Sequence, residues 1–276
     1  DDDGMGKEKI RLRVQVRIKG GRAVIDFTGT DLQVAGCLNA NYAITLSCVF
    51  YVFKTISGLS IPANGGIMRP IRLVAPEGSL VNARFPAAIV GGNVETSQRI
   101  VDVLFLALAR ALPDRIPAAS TGSMNNTAVG GYDPIRGKAF SYYETVGGGA
   151  GGGPKGPGAS GVHTHMTNTM NTPIEALENS YPFRVRAYSV RRGSGGKGKN
   201  PGGDGLVREI EFLADSRCTL LTERRLTAPY GLKGGGRGKK GRNLLIRGGR
   251  AVALPGKANL HLKAGERIRM ETTGGG

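Results

Sequence analysis

Apolar residues alternate with polar or charged ones from Ile10 through Leu12, Val14 and Val16 to Ile18, the period of a strand with one buried face. Gly20-Gly21 makes a turn and Ala23 to Phe27 returns, which predicts a β-hairpin. The period then changes. Tyr42, Leu46, Val49, Phe50, Phe53 and Ile56 fall at helical spacing, with Asn41 placed to cap the start and Gly58 to stop the end. Ile67 to Val74 and Leu80 to Ala83 read as strands joined at Pro76-Glu77-Gly78. A second helix is predicted over Val94 to Leu112, its apolar stripe running through Ile100, Val101, Leu104 and Leu108. Gln98, Arg99, Asp102 and Arg110 mark its polar side, and Pro113 follows its end.

Beyond that helix, Ser120 to Asn126 is a polar loop and Ala139 to Val146 a strand rich in aromatic and β-branched residues. Thr172 to Asn179 predicts a short helix and Phe183 to Val190 a strand. Val207 to Leu213 and Cys218 to Arg224 alternate across Asp215-Ser216 and predict a second hairpin. Leu244 to Ile246, Ala251 to Leu254, Asn259 to Leu262 and Ile268 to Glu271 complete the strands. The sum is a β-rich α+β fold: mixed or antiparallel sheets, two main helices and long glycine-rich loops.

Composition narrows the function classes. The 45 glycines in 276 residues show no Gly-X-Y period, so they are loops and not collagen. A net charge of +17 fits a basic solvated surface, an acidic partner or nucleic acid. Its late cations, from Arg191 to Lys199 and from Lys233 to Arg242, sit among glycines with only Tyr230 as an interleaved aromatic. Base-stacking platforms normally need more, which argues against nucleic acid. Cys37, Cys48 and Cys218 have neither metal-ligand nor paired-disulfide spacing and read as reduced thiols of a cytoplasmic protein, Cys48 within the core. No apolar run is long enough to span a membrane. A start on three aspartates and an end on three glycines read as a segment of a longer protein.

The chemistry concentrates between Tyr142 and Pro173, where glycines surround a dense set of amides, hydroxyls and two histidines. So many polar groups are costly to bury unpaired. Gly147 to Gly153 lacks the spacing of a phosphate-cradling loop, and its alternative use is close approach of two backbones. His163 and His165, two residues apart, would point the same way from a strand. Metal ligation with Glu144, Glu175 or Glu178, acid–base work and a structural role all stay open for them. Ser123, Asn125 and Asn126 offer neutral groups to polarise a carbonyl, or to fix their own loop.

Several segments, in one order, carry a resemblance. They are Asp26-Phe27-Thr28-Gly29-Thr30-Asp31, Gly91-Gly92-Asn93-Val94-Glu95-Thr96-Ser97-Gln98-Arg99, Pro117 to Ser120 with Met124-Asn125-Asn126, and Tyr142-Tyr143-Glu144-Thr145 with its glycines. Ser160 to Thr169, Arg192 to Gly196, Gly202-Gly203-Asp204-Gly205 and Glu223-Arg224-Arg225 follow. Together they resemble the hydantoinase B/oxoprolinase family across residues 1–276, matching the later, C-terminal portion of its longer members, with a subdivision expected near 115–140. The resemblance implies a component of an ATP-dependent cyclic-amide hydrolase that opens 5-oxoproline, hydantoins or related lactams. It would work with an actin-like ATPase, the A-type subunit, which holds ATP and Mg2+. A divalent metal, where the family uses one, is expected in the first half. Two alternatives accompany this reading: a metal-dependent carboxylase component of the acetone or acetophenone type, and a non-catalytic assembly module. From residue chemistry, His163, His165 and Glu144 are the expected catalytic groups, with Asn125, Asn126 and Asp204 at the substrate.

Overall fold

The computed structural model describes residues 1–276. The chain is α+β, with three helices and three mostly antiparallel sheets. The first sheet joins β1 (Gln15–Lys19), β2 (Arg22–Asp26) and β3 (Ile71–Val74) in sequence order. The expected hairpin forms around Gly20-Gly21, with Lys19 opposite Arg22, while β3 adds in parallel. The alternating run from Ile10 enters the ladder only at Gln15. Leu80 to Ala83 is no strand either, because its backbone bonds instead to Asp31 and Ala40.

Helices α1 (Tyr42–Ser57) and α2 (Ser97–Leu108) cover this sheet and share a core with it, built on Ile25, Phe27, Val49, Val52, Ile100 and Leu104. Asn41 caps α1 as predicted, its side chain accepting from the Ile44 amide at 2.9 Å, and Gly58 ends it at φ 66°. The buried stripe of α1 is Thr45, Cys48, Val49 and Val52, rotated from the expected one, and Tyr42 is exposed. Asn41→Ala is expected to lower stability by about 1 kcal/mol, measurable by denaturant unfolding. Ahead of α2, Gly92–Thr96 winds as a single π-helical turn, so the expected helix begins wide and ends at Leu108.

The later two sheets face each other. One has the order β10 (Arg250–Leu254), β9 (Arg242–Arg247), β12 (Arg267–Glu271), β7 (Gly205–Phe212) and β6 (Phe183–Arg191). The other has β11 (Lys257–Leu262), β8 (Ser216–Leu221), β4 (Asn126–Asp133) and β5 (Lys138–Thr145). Phe183, Ile210, Phe212, Ile268 and Met270 from the first interdigitate with Val129, Tyr142, Cys218, Leu220 and Leu262 from the second. The short helix α3 (Ile174–Ser180) closes one end through Leu177.

The predicted hairpin across Asp215-Ser216 does not form. β7 pairs with β6 and β12, and β8 with β4 and β11, so the chain changes sheet at that corner. Alternation specifies which face of a strand is buried, not which strand it pairs with. Strand β4 was not expected at all, since Gly130-Gly131 interrupts its apolar pattern. Gly131 is needed there because a Cβ would press on the Asp215 carbonyl and the Phe140 ring.

Glycine backbones from the loops around residues 150, 159, 203 and 275 stack on one another. Gly203 donates to the Ala150 carbonyl and Gly275 to that of Gly203, both at 2.9 Å. A Cβ at Gly203 would collide with the Ala159 carbonyl, and one at Gly275 with that of Ala150. The Gly147 to Gly153 run is thus used for close backbone approach. No helix is long and apolar enough to cross a membrane, and all three cysteines are free thiols. Cys48 lies in the core as expected, its thiol pushed up to about 12 by burial.

Candidate active site

Helix α2 buries polar groups that its sequence pattern assigned to solvent. Gln98 is 0 % exposed and Asp102 3 %. The loop carrying both histidines packs on them. Gln98 Nε2 donates to the Thr164 carbonyl at 2.9 Å, and His165, at φ 56°, turns back into the helix pair. There the His165 ring lies against Tyr51 and Phe105, with centroids 5.8 and 5.4 Å away. Its Nδ1 is 3.3 Å from the Tyr51 hydroxyl and its Nε2 3.6 Å from Asp102 Oδ1. That last distance is within ion-pair reach but long for a hydrogen bond.

Asp102 has a closer partner in Arg224, whose Nη2 lies 2.6 Å from Oδ2, and it also accepts from the Ser120 amide at 3.3 Å. Burial alone would raise the Asp102 carboxyl, but the His165 ring and the Arg224 guanidinium outweigh it and hold the group at about 2. Asp102 is therefore a carboxylate at neutral pH.

His163 points elsewhere. The segment around it is not a strand, since Val162 meets Gly148 only in an isolated bridge, so the expected shared direction of the two rings is lost. The one hydrogen-bond partner of the His163 ring is the Thr169 hydroxyl, 3.4 Å from Nε2, and Thr169 lies 2.5 Å from the Thr145 hydroxyl. The ring is half-buried, and burial lowers its pKa, which leaves it neutral at pH 7. No three His, Cys, Asp or Glu side chains converge in a way that would hold a metal ion. The divalent metal that the family resemblance suggests is expected in the family's first half, outside these residues, and no chemical step here runs through one.

The remaining expected residues are spread over the structure. Glu144 on β5 is buried in a two-point pair with Arg208, at 3.2 and 3.0 Å, and also accepts from Tyr142 and Asn171. Asn171 donates in addition to the Thr145 carbonyl at 2.9 Å, so Glu144 fixes the far end of the histidine loop. Asn125, at φ 52°, spends its amide on the Val146 carbonyl and its oxygen on Arg225. Asp204 lies at the glycine layer, where its carboxylate accepts from the amides of Gly193, Ser194 and Gly195. Burial opposes its charge, but those three amides prevail and lower its pKa. Asn126 lies beside the histidine loop, paired across β4 and β5 with Thr145.

Asn126 also leads to a residue that sequence reasoning passed over. Its Nδ2 donates to Glu95 Oε1 at 2.6 Å and to the Leu221 carbonyl at 2.8 Å. Glu95 sits in the π-helical turn, 0 % exposed, with Oε1 also accepting from the Met124 amide at 3.0 Å and Oε2 without a partner. Burial, helped by the nearby Glu223 charge, pushes its carboxyl up to about 8, so it is an uncharged acid at pH 7. A glutamate in the first turn of a helix is ordinarily a solvated partner of the helix dipole, which hides this role. The available signal is Gly91-Gly92 just before it: a Cβ at Gly92 would strike the Asn39 carbonyl, so the turn is pressed into the protein.

The order of these motifs is decisive when compared with known proteins. The pattern of the hydantoinase B/oxoprolinase family matches residues 1–276. The chain belongs to that family. Within the hydantoinase B/oxoprolinase family it is 42 % identical over 276 residues to 5-oxoprolinase 1 of Arabidopsis thaliana, covering 100 % of this chain and 21 % of that one. It is 32 % identical over 289 residues to the B-type component of a putative D-/L-hydantoinase from a Pseudomonas species, covering 100 % and 48 %. The fold matches the ATP-dependent caprolactamase of Pseudomonas jessenii with a TM-score of 0.86 at 24 % identity, covering 100 % of this chain and 49 % of that one. The chain spans less than half the length of the curated relatives it matches.

Proposed function

We propose that this chain is part of an ATP-dependent enzyme that opens cyclic amides such as 5-oxoproline, hydantoins or other lactams, working with an A-type ATPase subunit that binds ATP and Mg2+. The observation that carries this reading is the 42 % identity, over the full chain, to a protein named 5-oxoprolinase. A relative named as one component of a hydantoinase with more than one kind of chain supports a partner subunit. The chemistry needs both parts. An unstrained amide is a poor electrophile: ATP phosphorylates its oxygen, water adds to the activated carbon, the protonated ring nitrogen departs as the C–N bond breaks, and hydrolysis of the acyl phosphate left behind releases phosphate and the carboxylate.

In this reading His163 is the acid–base group. Its ring is neutral at pH 7, half-buried and tied only to Thr169, so it can take a proton from water and return one to the departing nitrogen. His165 is a positioning residue, locking the loop to α2 through Asp102 and to α1 through Tyr51. Glu144 holds the loop's other end through Asn171. Asn125 and Asp204 shape the backbone around the substrate, and Asn126, buried on β4, supports it from beneath through the Tyr143 hydroxyl.

The test is lactam-dependent ATP hydrolysis by the chain assembled with its A-type subunit and the family's first half. His163→Ala is expected to lower kcat about a hundredfold, within the range of general acid–base catalysis. The acid limb of the wild-type profile should lie below the ordinary histidine value, as burial favours the neutral ring. Unchanged turnover in the variant would remove His163 from the mechanism.

A further inference from the structure

The hydrogen bonds around Asn126 fix the polarity of a group that faces outward. Both protons of the Asn126 amide are committed, one to Glu95 Oε1 at 2.6 Å and one to the Leu221 carbonyl at 2.8 Å. Two acceptors on one side settle which end of the amide is nitrogen. Its Oδ1 is therefore an acceptor, and the Tyr143 hydroxyl donates to it. That phenol keeps its proton at neutral pH, because burial and the Glu95 carboxyl both raise its pKa. A hydroxyl whose only proton is spent offers nothing but lone pairs to anything else.

Tyr143 is 56 % exposed on the same β5 face as Thr145, whose hydroxyl meets Thr169 and, through it, His163. Glu95 anchors the arrangement from beneath, with its turn packed against Asn39 and the Met124 amide on the same oxygen as Asn126. The chain Glu95–Asn126–Tyr143 thus presents one fixed hydrogen-bond acceptor on the β5 face that leads, through Thr145 and Thr169, to the proposed acid–base histidine.

We propose that Tyr143 is a specificity-determining residue whose hydroxyl oxygen accepts the N–H of the substrate, so that the site selects cyclic amides with an unsubstituted ring nitrogen over their N-alkylated counterparts. The inference rests on the cyclic-amide reading above and deepens it. An N-methyl amide has no proton to give and brings a methyl group against the phenol oxygen. A site built around a hydrogen bond discriminates strongly against an analogue that cannot make it.

The experiment uses the assembled enzyme with 5-oxoproline and N-methyl-5-oxoproline, comparing wild type and Tyr143→Phe, with thermal unfolding of each as a check on folding. Wild type should favour the N–H substrate in kcat/KM. Tyr143→Phe should lose about tenfold on that substrate, chiefly through KM, and change less than about twofold on the N-methyl one, the scale of one neutral hydrogen bond. The same preference should appear in direct binding of the two compounds, followed by saturation-transfer NMR without ATP. Equal losses on both substrates, or an unchanged ratio in Tyr143→Phe, would overturn the role of Tyr143 while leaving the cyclic-amide reading intact. A wild type that neither binds nor turns over either compound would overturn both.

Discussion

Gly203→Ala is expected to leave the chain unable to reach its native state, with loss of soluble protein and of a cooperative thermal transition. The added Cβ would land on the Ala159 carbonyl, with the Gly158 carbonyl 2.9 Å away. Backbone oxygens cannot rotate aside as a flexible side chain would, so the segments must separate. That separation breaks the bonds from Gly203 N to Ala150 O and from Gly275 N to Gly203 O. Each leaves a backbone group without its partner in a buried layer, at about 1 to 3 kcal/mol apiece. Overpacking of a rigid interior adds about 1 to 3 kcal/mol more. The total is comparable with the whole stability of a domain, about 5 to 15 kcal/mol. Gly193→Ala supplies the contrast. It has open space around its Cβ, and at φ 70° it should lose only the strain of a left-handed alanine, about 1 to 2 kcal/mol. If both variants unfold at the same denaturant concentration, the glycine layer is not the constraint described.

This layer also shows what was legible in the sequence and what was not. Strands and helices with a clean period were readable: α1 with its Asn41 cap and Gly58 stop, β2, β5, β6 and the four short strands at the end. Partners were not, because a half-buried strand reads the same whichever sheet it joins. Hence β7 and β8 were placed in one hairpin although they lie in opposing sheets. β4 escaped because Gly130 and Gly131, the second required by close neighbours, break the pattern that announces a strand.

Around the histidines the sequence predicted a shared direction that the backbone does not give. Two histidines at i and i+2 share a face only in extended backbone, and His165 at φ 56° is not extended. The rings therefore serve different surroundings, one against Asp102 between the helices and one beside Thr169. Glu95 was unreadable for a related reason. Its helical position suggested solvent, and only the tertiary contact of the loop before β4 with the π-helical turn buries it.

Glu95→Gln should make the protein more stable at pH 8 by about 3 kcal/mol or more, while changing little at pH 4 to 5. The folded carboxyl titrates at about 8 against an ordinary value of 4.5. Below 4.5 both folded and unfolded chains hold the proton and the group contributes no pH dependence. Between 4.5 and about 8 the unfolded chain releases the proton while the folded chain keeps it. Stability then falls as pH rises, by about 1.4 kcal/mol per unit, and falls no further once the folded acid also ionises. Glutamine preserves the acceptor used by Met124 and Asn126 and places an NH2 group where the uncharged acid carries its hydroxyl, so the neutral state is copied without the proton. The measurement is denaturant unfolding of both proteins from pH 4.5 to 8.5, reading the difference between the two curves so that other titrations cancel. A gap that widens with pH is the expected result. Parallel curves would mean that Glu95 is ionised in the folded protein and that its charge is balanced by Arg225 and Lys257, the cations that oppose its protonation.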